Sequence, residues 1–423
     1  MPHENENGYE NKHEIKNKNE REHENENDRD RGHRPYPHLP TRFGVFLAPY
    51  HHPDRDPALQ LRRDLDLVAL LDRLGYDEVW AGEHHSAGYE IIASPELFLA
   101  AAAERTSRIR LGTGVNSLPY HHPLILADRI CQLDQQTRGR AMLGVGPGQL
   151  PSDAHMMGVD PLRSRAMTAD ALDAIVRLLR GETVTAATDW FTLEEARLQL
   201  GPYRGREPDV AVASAVSPTG AVLAGRHGLG LLSLAAADPS GFAALDTNWT
   251  AYEASCTAAG RTPDRQGWRL VTPVHLAETR EQALREAEFG TGDLVAYLEA
   301  LGGTRLDGCS TASGAVDRWT TDGLPTFGRA VIGSPEDAVE RIAQLADKTG
   351  GFGTFLILQL DVADPGATRR SLELFAERVV PRLTGSTGAR RASLDWAARN
   401  SGRFVGALRQ ATAEAIARKG ETR

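Results

Sequence analysis

Three His-His pairs occupy matching places in this chain: His51-His52, His84-His85 and His121-His122. Each follows an apolar run of strand type: Phe43 to Ala48, Val79 to Gly82, and Leu111 to Val115. Imidazole exchanges a proton near neutral pH, and it donates, accepts or binds a metal. Six of the fourteen histidines just past three successive strands describe a site built from strand ends. That face carries the chemistry in parallel α/β folds. Adjacent strand residues point to opposite sides, so at most one His of each pair is expected to face the mouth. About half of the six should then be hydrogen-bonded packing residues. A metal-dependent barrel hydrolase wants His-x-His on one strand, so that both rings reach one ion. No strand-like run here carries that spacing, and no catalytic metal is expected.

Two Gly- and hydroxyl-rich turns are further candidates. Gly144-Val145-Gly146-Pro147-Gly148, followed by Pro151-Ser152-Asp153, lets backbone approach a flat or anionic ligand. Ala215-Val216-Ser217-Pro218-Thr219-Gly220 offers helix-start N–H groups and two hydroxyls to a phosphate. A sharp turn and a capped helix start explain the same residues equally well. Leu47-Ala48-Pro49 is small and apolar, a surface for an aromatic ring system. The dinucleotide fingerprint, the P-loop and the nucleophile elbow are all missing. Cys131 falls on an amphipathic helix, as a core residue would.

The elements that must position these residues alternate from Arg42 onward. Strand-like runs fall at 42–49, 76–83, 109–116, 140–148, 209–216, 228–235, 268–277 and 353–361. Between them, Leu61, Leu65, Val68, Leu71 and Leu74 mark one helical face over 58–74. Ser94-Pro95-Glu96, Ser217-Pro218 and Ser334-Pro335-Glu336 read as helix starts. Helices are also expected over 123–136 and 163–179. Eight strands with intervening helices predict an α/β fold, a (β/α)8 TIM barrel, over a doubly wound sheet. Residues 181–208 and 289–333 insert before strands five and eight, and the second is expected to act as a lid.

The 423 residues carry a net charge of −9 and a pI near 5.9, which disfavours a nucleic-acid partner. Three scattered cysteines suit a reducing cytoplasm, and no apolar run is long enough for a membrane span. Residues 1–40 form a rough ten-residue repeat of Glu, Asn, Lys and Arg, with His3, His13, His23 and His33 at its beat. Such a segment has nothing to bury and reads as a disordered, solvated tail. A domain over 41–385 and an Arg- and Ala-rich helical extension over 386–423 follow. In the extension Leu394, Ala397, Val405 and Leu408 would pack or pair subunits.

The segments GYDEVWAGEHHSAGYEIIASPELFLAAAAERTSRIRLGTGV, LPYHHPLILADRICQLDQQTRGR and LGVGPGQLPSDAHMMGVDP resemble the bacterial luciferase-like flavin-dependent monooxygenases, and most nearly their limonene-monooxygenase-type branch. The resemblance spans about Arg42 to Leu383. It implies a TIM barrel, reduced FMN (FMNH2) from a separate reductase, O2, and a C4a-hydroperoxyflavin that oxygenates a small or medium apolar molecule. It also implies a homodimer. The first His of Glu83-His84-His85 would lie near the reactive edge of the flavin, making His84 the catalytic candidate. Ala48 and Asn116 would line the isoalloxazine. Gly148, Asp153, His155, Val216 and Ser217 would surround the ribityl phosphate. Gly148-Gln149-Leu150 departs from the Gly-Trp-Asn of many members. An apolar run, Ile91-Ile92-Ala93, suits an apolar pocket beside His84. The alternatives are an F420-dependent hydride transferase and a non-catalytic flavin-binding subunit.

Overall fold

The computed structural model describes residues 38–48 and 50–420, the last two of these by backbone alone. The repeat tail up to residue 37, with its four histidines, and Pro49 lie outside them. His38–Val380 forms one compact unit, and the C-terminal helices belong to another.

The first unit begins β1 (Arg42–Leu47), α1 (Pro57–Leu74), β2 (Glu78–Ala81), α2 (Pro95–Ala103), β3 (Arg110–Ser117), α3 (Pro123–Thr137) and β4 (Ala141–Gly146). After α4 (Pro151–Met156) and α5 (Ser164–Leu179), β5 (Val184–Ala187) and β6 (Thr192–Ala196) make a separate antiparallel hairpin. Next come β7 (Asp209–Ser214), α6 (Thr219–His227), β8 (Gly230–Ser233), α7 (Pro239–Ala258) and β9 (Trp268–Leu276). The unit continues through α8 (Arg280–Gly302), α9 (Ala312–Thr321), β10 (Val331–Gly333), α10 (Pro335–Thr349), β11 (Thr354–Gln359) and α11 (Pro365–Leu374).

Eight of these strands pair in parallel and close on themselves, in the order β1-β2-β3-β4-β7-β8-β9-β11 and back to β1. The chain is a (β/α)8 barrel, with β10 paired only to β9. Parallel strands covered on both faces must be apolar throughout. Accordingly, every residue of β9 and of β11 is buried, as sequence runs such as Thr354–Gln359 (TFLILQ) require. Seven helices begin with proline, whose fixed φ is already helical and whose missing N–H would be unpaired there anyway. Ser334 and Asp337 close a capping box on α10. Ser94 stands before α2 as expected, but its hydroxyl bonds Glu96 at 2.9 Å instead of a backbone N–H.

The barrel's N-terminal end is closed by ions. Arg269, fully buried near the start of β9, donates to Glu78 at 2.7 Å and to Asp209 at 2.6 Å, from the starts of β2 and β7. Its guanidinium also lies 4.9 Å from the centre of the Trp80 ring. Gly112 leaves room for that indole, because a Cβ there would fall 2.5 Å from Trp80 Cε3. Asp209 is desolvated, yet Arg269 and Arg110 hold its carboxyl below the usual range.

One expectation changes. Residues 289–333 are not a free lid: α8 runs on to Gly302, and α9 and β10 follow. The helical pattern was hidden there by Gly290, Thr291 and Gly292 inside α8. In the second unit, α12 (Gly388–Arg399) and α13 (Ser401–Gly420) are helical. Leu394, Ala397, Val405 and Leu408, expected to pack or to pair subunits, are exposed. No helix among the described residues is long and apolar enough to cross a membrane.

Candidate active site

A cavity of about 1110 Å³ opens at the C-terminal ends of the strands. Its inner wall is apolar: Phe46, Ala48, Val115, Val212, Val271 and Leu358 come from five different strands or their ends. Tyr50, Tyr297, Leu298 and Phe327 cover a second side. Elsewhere the lining includes the hydroxyls of Ser152, Ser217 and Thr219 and one cation, Arg165. β3 and β4 lose register between Thr113 and Asn116, where the Gly114–Val115 peptide is cis, and both of those residues reach the wall.

Of the six paired histidines only His84 lines this cavity. Its Nδ1 is 3.2 Å from Asp153 Oδ2, on the first turn of α4. Its Nε2 is 3.4 Å from Glu90 Oε1. The backbone N–H of His84 donates to the Ile92 carbonyl at 3.2 Å, which ties the 84–92 loop shut. Ile92 is itself buried away from the cavity wall, so the apolar run at 91–93 serves the loop and not the pocket. Asp153 also accepts from the backbone N–H of His85 at 3.2 Å and from the hydroxyl of Ser86. Burial pushes the Glu90 carboxyl up, and nearby Asp153 adds to that, while His84 and His51 oppose it.

His85 and His121 both meet Glu83 Oε1 at 2.8 Å. The other oxygen of Glu83 accepts from Asn116 Nδ2 at 3.2 Å and from the Ser117 backbone N–H at 3.0 Å. Burial opposes the charge on Glu83, but His121, His85 and Ser117 hold its carboxyl down at about 2. His51 lies behind the cavity, between Asp64 and Asp361 at 2.8 Å each. Although burial opposes it, these two carboxylates raise His51 to about 9. His52 is half-buried beside Tyr89, and His122 precedes α3 against Phe191. The pairs therefore do divide their members between roles. Strand alternation is not the cause, because the histidines sit past the strands in loops whose hydrogen bonds aim each ring.

The other expected residues are placed as follows. Ala48 and Gly148 line the cavity, and so do Val216 and Ser217 at its exposed rim. Gly148 has φ 77°, and a Cβ there would meet the Tyr120 hydroxyl at 2.5 Å, so this turn needs glycine. Gln149 and Leu150, where the chain departs from the pattern it resembles, reach the wall as well. Asn116 and Asp153 are buried behind the wall and act on it through Glu83 and His84. His155 is exposed on the outward side of α4 and does not reach the cavity. The i+2 spacing from Asp153 on a helix turns it away. Sequence reasoning missed Glu90, Tyr50, Tyr297 and Arg165. Glu90 stood six residues after His84 in a loop with no periodicity, so no pattern marked it.

The residues present suit a flavin. The apolar inner wall offers a flat ring face, and the lining also carries Arg165 and the paired hydroxyls of Ser217 and Thr219, groups of the kind a phosphate needs. Ser214 Oγ on the cavity wall and Asn116 Oδ1 behind it are buried with no hydrogen-bond partner among the described residues. Buried polar atoms of that kind are normally satisfied, so a bound group that reaches Ser214 would remove an anomaly.

The luciferase-like monooxygenase family matches residues 41–351. The chain belongs to the luciferase-like monooxygenase family. It is 49% identical over 348 residues to limonene 1,2-monooxygenase of Rhodococcus erythropolis, covering 82% of this chain and 88% of that one. It is 46% identical over 364 residues to 4-hydroxyprotoasukamycin monooxygenase of Streptomyces nodosus subsp. asukaensis, covering 84% and 96%. Among solved structures, the FMN complex of the oxygenating constituent of 3,6-diketocamphane monooxygenase from Pseudomonas putida superposes with TM-score 0.66 at 26% identity, over 81% of this chain and 99% of that one. As a luciferase-like monooxygenase, the chain is an oxidoreductase.

Proposed function

We propose that this luciferase-like protein is a monooxygenase that uses reduced FMN and O2 to oxygenate a small or medium apolar molecule of terpenoid or secondary-metabolite type. The observation that carries the reading is the roughly 1110 Å³ cavity, apolar on its inner wall, with His84 held at its edge between two carboxyl groups. Bound there, reduced FMN supplies the two electrons that let one atom of O2 enter the substrate while the other leaves as water.

The chain's own residues do the rest. Ala48 and Val115 offer a ring face its surface, and Arg165, Ser217 and Thr219 hold a phosphate at the rim. Phe46, Val212, Val271 and Leu358 keep water from the reacting centre, where it would divert an activated oxygen. Asp153 accepts from Nδ1–H of His84 and so fixes the tautomer whose Nε2 faces the cavity. That nitrogen holds or takes up a proton beside the reacting oxygen. Two relatives support this reading. One acts on limonene, and the other is the oxygenating constituent of a camphane monooxygenase solved with FMN. In the same reading a separate reductase delivers the reduced flavin, and the chain works as a homodimer in the cytoplasm.

The test supplies the full chain with photoreduced FMN, limonene and a panel of terpenoid hydrocarbons and ketones under 18O2. One 18O atom in a product is the expected result. Tight binding of F420 with hydride transfer to a carbonyl, and no labelled product, would replace this reading with a deazaflavin one.

A further inference from the structure

The mouth of this barrel holds two histidines, each placed between two carboxyl groups, and they differ in one respect. His51 is closed in: both of its contacts are 2.8 Å, and its ring is 3% exposed. His84 is open: its contacts are 3.2 Å to Asp153 and 3.4 Å to Glu90, and its ring is 21% exposed on the cavity. Asp153 is tied down by three donors, which are His84, the His85 backbone N–H and the hydroxyl of Ser86, and Ser86 in turn bonds Ser152 at 2.7 Å. Among the described residues Glu90 has no such set, and it meets His84 at ion-pair distance without a formed hydrogen bond. Oε1 faces His84, and Oε2 lies 3.4 Å from where a Cβ would stand on Gly82. It is thus a carboxyl group on a mostly apolar wall, with an imidazole nitrogen as its near polar neighbour.

We infer that Glu90 is the positioning residue for His84, exchanging one proton with Nε2 across the 3.4 Å that separate the two groups at the cavity wall. With Asp153 fixing Nδ1–H, the proton lies either on Glu90 Oε1 or on Nε2. Moving it leaves a neutral acid beside a neutral imidazole, or a carboxylate beside an imidazolium. No electron moves, and the total charge of the pair is unchanged. A lone charge in this apolar wall would be costly, and sharing avoids one. Burial of Glu90 favours its neutral form. The ionisable groups that face it are His84 on its own loop, Asp153 on α4, His51 and Tyr50 after β1, and Tyr297 on α8. The two tyrosines are themselves pushed up by burial, Tyr297 to about 12, so they stay neutral and add no competing charge. His84 then presents the cavity with a proton that Glu90 can replace. The inference rests on the monooxygenase reading only for what that proton does.

The test separates the two. The ring 15N resonances of His84 are followed against pH in the flavin-free full chain, for wild type, Glu90→Gln and Glu90→Asp. Groups that share a proton titrate as a pair, so wild type should show two inflections in the His84 resonances. Glu90→Gln, isosteric and unable to titrate, should show one. Glu90→Asp should restore the second. A parallel thermal melt confirms that each variant is folded. Two inflections surviving in Glu90→Gln, or only one in wild type, would overturn the inference. In the loaded enzyme, the fraction of reduced flavin yielding oxygenated product should lose one limb of its pH profile in Glu90→Gln and regain it in Glu90→Asp. If wild type oxygenates nothing while the 15N result holds, the monooxygenase reading fails and the shared proton stands.

Discussion

At the scale of single residues, the site depends on how loops aim imidazoles. Replacing His84 with Ala removes the one paired histidine on the cavity wall. The rate of oxygenated product formation should fall by about 10²–10⁴-fold, the usual size of a lost proton donor or acceptor. His51 offers a pH test. Its folded value of about 9 lies above the ordinary 6.5, so its contribution to stability is complete below pH 6.5 and is lost as pH rises through 9. Asp64, raised by its own burial, gives part of this back, so the effect is at most on the order of 3 kcal/mol. Denaturant melts at pH 6 and pH 9.5 should therefore differ in wild type, and much less in His51→Gln. Gly148→Ala would place a Cβ 2.5 Å from the Tyr120 hydroxyl at φ 77°. The backbone strain alone is about 1–2 kcal/mol. FMN affinity should fall about tenfold, and Tyr120→Phe in the same chain should recover only the contact part.

At the scale of elements, the barrel was readable because its signals are periodic and local. Seven of the eight barrel strands lie inside the runs at 42–49 through 353–361, and β3 passes its run by one residue, since parallel strands buried on both faces are continuous apolar stretches. The other runs overshoot the strand ends by one or two residues because apolar loop residues continue into the cavity wall, as Ala48, Ala215 and Leu234 do. Glu90 and Arg165 escaped notice for the opposite reason. One sits in an aperiodic loop and the other on an exposed helix turn, and only the closed barrel brings them to the cavity. The ion cluster at the barrel's far end was equally silent, since Glu78, Asp209 and Arg269 are 60 to 191 positions apart. Arg269→Met would leave Glu78 and Asp209 buried without their main partner, at a cost of about 3–5 kcal/mol. The melting temperature should drop while FMN affinity, set at the opposite end, stays unchanged.

At the scale of the whole molecule, stability resides in the barrel unit. From Gly388 to Arg418 no side chain is buried, and Leu394, Trp396, Phe404, Leu408 and Ile416 are exposed apolar groups. A chain ending at Gly385 should unfold at the same temperature as the full chain, as read by calorimetry. A drop of more than a few degrees would show that the helices stabilise the barrel after all. The net charge of −9 disfavoured a nucleic-acid partner from the sequence, but the substrate depends on walls that α8 and residues 322–330 form only after folding.

The most direct measurement mixes the full chain with reduced FMN under anaerobic conditions and admits O2 in a stopped-flow spectrometer. The monooxygenase reading predicts flavin reoxidation through a transient absorbance distinct from reduced and oxidised FMN, shorter-lived in His84→Ala. Reoxidation with the time course of free flavin, in wild type and variant alike, would contradict it.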